Sequence, residues 1–185
     1  IYWPTKELAG FEALVRWEHP KLGLLNPATF VPVAEESDLI IKLGSYVLLR
    51  AATDAARWQQ ELPRSARPLF VSVNVSSRQL FRPESVQEIR HILGRNIVPR
   101  GGLRLEITES LVMENPEQAA EILEVLRGSG AELAMDDFGT GYSSLAYLQR
   151  FPFDTIKVDR ELVRASSSAS GAAIMRSIVA LAHEL

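Results

Sequence analysis

Short apolar runs broken by alternating polar positions recur along the chain. Most are followed by a longer stretch whose apolar residues fall three and four apart. The runs at 7–17 (ELAGFEALVRW), 69–76 (LFVSVNVS), 102–108 (GLRLEIT), 131–136 (AELAMD) and 153–159 (FDTIKVD) predict strands. Helical spacing begins at Ala28 and resumes in LIIKLGSYVLLRAATDAARWQQ, for which Ser37 or Asp38 is the candidate N-cap. It returns at 83–96, 115–130 and 170–185, with a short helix at 143–150 capped by Ser143. The 115–130 helix has Pro116 in its first turn and Gly128 or Gly130 beyond its last. HPKLGLLNP, the basic stretch from Pro63 to Pro68 and the small, polar RASSSAS (164–170) predict connections, the last of them mobile. No internal repeat is visible. Alternating strands and helices predict an α/β fold with parallel strands, and both a doubly wound sheet and a β/α barrel satisfy the pattern.

The polar residues inside the strands separate these two. Glu12 interrupts GFEALVRW, Asn74 lies in VSVNVS, Glu106 in LRLEIT, Asp136 and Asp137 close ELAMDD, and Lys157 lies in FDTIKVD two residues before Asp159. Each alone reads as a helix cap, a turn residue or a surface ion pair, and Glu12 has a candidate partner in Arg16. Together they place one costly group on each of five successive strands. Asn74, Glu106, Asp136 and Lys157 fall at or near the C-terminal strand ends, which converge on one mouth in a barrel. A doubly wound sheet draws on a single switch point instead. The expected fold is therefore a (β/α)8 TIM-like barrel.

Carboxylates and an amide are hard oxygen donors suited to Mg2+, Mn2+ or Ca2+. Asp136 and Asp137 sit where a strand turns, so both can face the mouth, one bridging two cations and the other holding the second. Two divalent ions about 3.5–4 Å apart offset clustered carboxylates and clamp the attacking and leaving oxygens of a phosphodiester. Lys157 then balances charge or orients the attacking water. His19, His91 and His183 read as surface or packing residues. FGTGYSS, with Gly139 and Gly141, reads as a hinge over the mouth or as a plain turn ending in the cap Ser143. It lacks the Lys-Ser/Thr of a P-loop, and DFG stands here without a kinase catalytic loop.

Composition narrows the picture mainly by exclusion. The 185 residues are 46% hydrophobic and 23% charged, an ordinary globular balance, with formal net charge −3. That argues against a chain that coats polymeric nucleic acid or an anionic membrane. No cysteine is present, which removes disulfides, zinc–thiolate sites and thiol nucleophiles. No apolar run approaches the roughly 20 residues of a membrane helix, and a cytoplasmic location is the plain expectation.

In chain order, FEALVRW (11–17), VNVS (73–76), LEITES (105–110), DDFGTGYSSL (136–145) and IKVD (156–159) resemble the EAL family, bacterial phosphodiesterases that hydrolyse cyclic di-GMP to linear pGpG. The resemblance runs nearly end to end. It implies that Glu12, Asn74, Glu106 and Asp136 bind a first Mg2+ or Mn2+, and that Asp136 bridges to a second held also by Asp137. It implies that Lys157 contacts the attacking water or the scissile phosphate, and that Glu109 anchors the DDFGTGYSS loop. Arg16 would contact a phosphate of the dinucleotide, Leu14 would lie against its base, and Asp159 would line the site. It implies too that the strand carrying Glu12 runs antiparallel to the rest.

The family's AEGVE glutamate and its QG motif have no counterpart in the 185 residues, and the first strand looks clipped at Ile1. The expectation is one EAL domain over 1–185 holding an incomplete barrel, with truncation or a homodimer accounting for its open edges. The parent chain is expected to be an active phosphodiesterase, commonly joined to a GGDEF or sensory domain, and this stretch alone to turn over little. The alternative is an inactive domain that binds cyclic di-GMP or a protein partner.

Overall fold

The computed structural model describes residues 1–2, 4–62, 68–95, 98–99, 101–139 and 148–184. Most of the helix expected at 143–150, its cap Ser143, Gly141 of the hinge and most of the Pro63–Pro68 connection lie outside the described residues. The chain opens with strand β1 (Gly10–Ala13), a hairpin of β2 (Trp17–His19) and β3 (Gly23–Leu25), and helices α1 (Pro27–Glu36) and α2 (Leu39–Glu61). It continues through β4 (Phe70–Asn74), α3 (Ser77–Leu80), α4 (Pro83–Gly94), β5 (Leu103–Thr108), α5 (Glu109–Glu114) and α6 (Pro116–Gly128). Then follow β6 (Glu132–Phe138), β7 (Thr155–Val158), α7 (Arg160–Ala165) and α8 (Ala169–Glu184).

Among the described residues β1, β4, β5, β6 and β7 form one sheet in that order, and every neighbouring pair is parallel. The order never reverses, so the sheet has no switch point of the doubly wound kind. Right-handed crossovers taken always in one direction put the helices on a single face. The core lies there: Leu103, Leu105 and Ile107 of β5 and Leu133 and Met135 of β6 are buried with Leu123 and Leu126 of α6. α2 adds Leu48, Ala51, Ala52 and Ala55, and its Trp58 ring packs 4.9 Å from that of Phe11. Each large side chain buried there contributes on the order of 1.5–3 kcal/mol.

The other face carries the alternate positions. Residues at i and i+2 share a face, so Glu12, Ser72, Asn74, Arg104, Glu106, Thr108, Ala134, Asp136 and Lys157 look the same way. Near its N-terminal ends this face holds the Arg104 guanidinium 3.7 Å over the Phe70 ring and 2.9 Å from Glu132. Near the C-terminal ends, Lys157 on β7 lies 4.0 Å from Glu12 on β1. In a flat sheet those edge strands stand roughly 19 Å apart. The sheet is therefore curled about this face, as an incomplete TIM-like barrel.

Three expectations need correction. β1 runs parallel to β4, with Glu12 opposite Ser72, and not antiparallel; the chain crosses back through α1 and α2 and re-enters the sheet in the same sense. Asp38 sits at the N-cap of α2 at φ 58 without capping it; its carboxylate accepts from Arg78 (2.6 Å) and Arg82 (2.9 Å). The 164–170 segment is the end of α7, a turn in which Ser168 Oγ accepts from Gly171 N–H, and the start of α8.

Candidate functional site

Glu106 is 3% exposed, on a strand whose outward neighbours are packed in the core. An ionised carboxylate there needs a cation, and Lys157 supplies one. Its ammonium donates to Glu106 Oε2 at 2.7 Å and to Asp136 Oδ2 at 3.1 Å. Asn74 Nδ2 donates to Glu12 Oε1 at 3.0 Å. Cross-strand register supplies the frame, because Asn74 faces Glu106 and Thr108 faces Asp136. The five residues from five strands thus meet at one end of the curled face. Burial works against the Lys157 charge, but the hydrogen bonds to Glu106 and Asp136 outweigh it and hold the ammonium above the ordinary lysine value.

Asp136 and Asp137 are not consecutive positions of a regular strand. The register between β6 and β7 shifts from Met135 to Phe138, and Asp137 takes φ 53. That bulge re-aims the second carboxylate, and β6 runs on to Phe138 rather than ending at Asp136. Asp137 N–H donates to Asp136 Oδ1 at 3.0 Å. Burial first, then the charges of Asp136 and Asp159, push the Asp137 carboxyl above the usual aspartate range. Asp159 itself accepts from Glu161 N–H at 2.7 Å as the N-cap of α7.

Glu109 is 1% exposed at the start of α5, and its Oε2 accepts from Gly139 N–H at 2.7 Å. It thus holds the backbone two residues past the aspartate pair. Leu14 is 55% exposed and lines a cavity of about 520 Å3 together with Asn74, Ser76, Gln79 and Glu106. Arg16 does not pair with Glu12; its guanidinium donates to Val15 O at 2.8 Å. His19 Nδ1 accepts from the backbone of Lys21 and Leu22, in the turn of the hairpin.

As donors, three carboxylates and an amide suit a hard divalent cation. Among the described residues, however, no group of three or more His, Cys, Asp or Glu side chains is arranged to hold a metal ion. The carboxylates close on the Lys157 ammonium, a cation of different shape in the same place. The set fits a divalent ion in chemistry and charge. Gln79, which is buried and lines the cavity together with Asn74, is absent from the sequence-derived set. Its only local signal is the S-x-x-Q of a capping box at 76–79.

A family model described as "EAL domain" matches residues 2–185. The cyclic di-GMP phosphodiesterase NbdA of Pseudomonas aeruginosa is 42% identical over 97% of this chain and 23% of its own length. The bifunctional diguanylate cyclase/cyclic di-GMP phosphodiesterase MucR of the same organism is 38% identical over 98% of this chain and 26% of its own. The chain therefore spans about a quarter of the length of these relatives. A solved structure described as the PaMucR phosphodiesterase in complex with c-di-GMP superposes with TM-score 0.88 at 37% identity. That match covers 98% of this chain and 72% of that one.

Proposed function

The chain belongs to the EAL domain family, and from that premise we propose that the full-length protein is a divalent-metal-dependent phosphodiesterase converting cyclic di-GMP to linear pGpG. The observation that carries the reading is the meeting of Glu12, Asn74, Glu106, Asp136 and Lys157 from five strands at one end of the sheet. In this reading Glu12, Asn74, Glu106 and Asp136 hold one Mg2+ or Mn2+, and Asp136 and Asp137 hold a second. When bound, such ions polarise the phosphodiester and lower the pKa of water. In the same reading Lys157, protonated at Nζ, orients the attacking water or a phosphate oxygen. Glu109 fixes the backbone at Gly139. Leu14 lines the cavity, and in this reading Leu14 and Arg16 contact the ligand and Asp159 lines the site. MucR combines two activities, and a cyclase-type GGDEF or a sensory domain in the same polypeptide is part of this proposal.

The test is production of pGpG from cyclic di-GMP by the full-length protein with Mg2+ or Mn2+. Activity is expected to vanish with EDTA and in Glu12→Ala; undiminished turnover in that variant rejects the assignment. A second reading is an inactive EAL domain whose carboxylates stay paired with Lys157 and take no metal. A domain kept in that state binds the nucleotide without cleaving it, which calorimetry beside the turnover assay distinguishes.

Asp137→Asn separates stability from activity. An acid raised in the folded state favours folding when protonated, and this advantage is lost as pH rises through the ordinary aspartate pKa towards the raised folded value. At neutral pH the amide relieves that cost, and Asn tolerates the left-handed φ of 53 well. The variant is expected to melt no lower than wild type while activity falls about 10²-fold or more, as for loss of a charge-stabilising group. A marked fall in its melting temperature contradicts this account.

A further inference from the structure

We propose that Gln79 is a positioning residue for the candidate metal centre, acting through Asn74; this rests on the functional reading above. Gln79 is 6% exposed and sits in the four-residue helix α3 that follows β4. Its Oε1 accepts from both Ser76 N–H (3.2 Å) and Ser76 Oγ–H (3.1 Å), and its own N–H donates back to Ser76 Oγ (3.4 Å). The far side of the same carboxamide lies against the backbone of α2 at Gly44, where any Cβ would overlap Nε2. The carboxamide is thus wedged between two elements, Oε1 on the turn after β4 and Nε2 on α2.

What this wedge fixes is the chain two residues after Asn74. Val75 N–H donates to Glu106 O at 2.9 Å, so β5 holds this backbone from one side and Gln79 holds it from the other. Asn74 is exposed. Its aim towards Glu12 depends on its own 3.0 Å hydrogen bond and on the backbone beneath it. A polar side chain buried in this way, one step behind a ligand, has the geometry of outer-shell groups that tune metal affinity. Gly44 belongs to the same device, since only glycine leaves room for the amide.

The experiment measures Mn2+ binding to the full-length protein by electron paramagnetic resonance of the free ion, beside thermal melting without metal. Gln79→Ala is expected to weaken Mn2+ binding about ten-fold. Gln79→Glu restores most of it, because a carboxylate accepts the same two bonds from Ser76. Gly44→Ala displaces the amide while leaving Gln79 in the chain, so it is expected to weaken Mn2+ binding with a smaller fall in melting temperature than Gln79→Ala. That variant keeps the proposal testable if Gln79→Ala fails to fold. Unchanged Mn2+ affinity in Gln79→Ala or in Gly44→Ala, with wild type binding Mn2+, overturns the role of Gln79 alone. A wild-type protein that neither binds Mn2+ nor cleaves cyclic di-GMP overturns the functional reading beneath it.

Discussion

Replacing Lys157 with methionine is expected to lower stability by about 2 kcal/mol and activity by about 10²–10³-fold. The methionine fills similar space but leaves Glu106, 3% exposed, and Asp136 facing each other without the ammonium between them. Breaking a fully buried pair from one side costs about 3–5 kcal/mol. The smaller figure follows from the 32% exposure of the Lys157 side chain, which lets water screen part of the loss. The ammonium is held above the ordinary lysine value, so its contribution is complete below that ordinary value and is lost as pH rises through the raised one. Urea denaturation across the alkaline range is expected to show this limb in wild type and to lack it in Lys157→Met. Mn2+ is expected to stabilise the variant more than wild type, since the ion takes the place of the missing cation. Equal stability of the two proteins without metal contradicts the account of the cluster.

The second large effect is expected from Gly139→Ala. Gly139 takes φ 97, where an L side chain is strained, and an added Cβ would overlap Leu162 Cδ1 of α7. Left-handed strain costs about 1–2 kcal/mol and overpacking about 1–3 kcal/mol. The sum predicts a loss of about 2–5 kcal/mol. Gly139 also donates to Glu109 and follows the aspartate pair by two residues, so the shift reaches Asp137 and activity falls with stability. Leu162→Ala in the same molecule is expected to recover the overlap but not the strain. Denaturation of both single variants and the double variant measures the division. Full recovery in the double variant places the whole effect in the clash and removes the strain argument.

The strands were legible because period-two alternation is a property of each segment by itself. It put Glu106 and Lys157 on one face, and the structure brings them within 2.7 Å. What escaped depends on segments meeting each other. The hairpin of Trp17–His19 and Gly23–Leu25 has strands too short to show a period, and its glycine and proline read as turn residues. The direction of β1 is decided by the crossover through α1 and α2, not by any residue of GFEA. The partners that draw the Asp38 carboxylate away from a cap, Arg78 and Arg82, arrive some forty residues later in the chain. Arg16 lies next to the recognisable motif, yet its guanidinium turns to Val15 O. For Gln79 the capping box was readable, but the fit against Gly44 is a contact between distant helices that no local pattern encodes.

The bridge from Lys157 on β7 back to Glu12 on β1 has a consequence for the order of assembly. The two residues sit on the first and last strands of the sheet, and their side chains meet only after every intervening strand has docked and curled. Contacts of such long sequence separation carry the largest loop-closure cost and form late in folding. Hydrophobic packing of β5, β6 and α6 can therefore be complete while the polar cluster is still open. A nascent or frayed chain keeps its core yet lacks the assembled cluster, so loosening of β1 or β7 opens the cluster before the centre of the sheet melts.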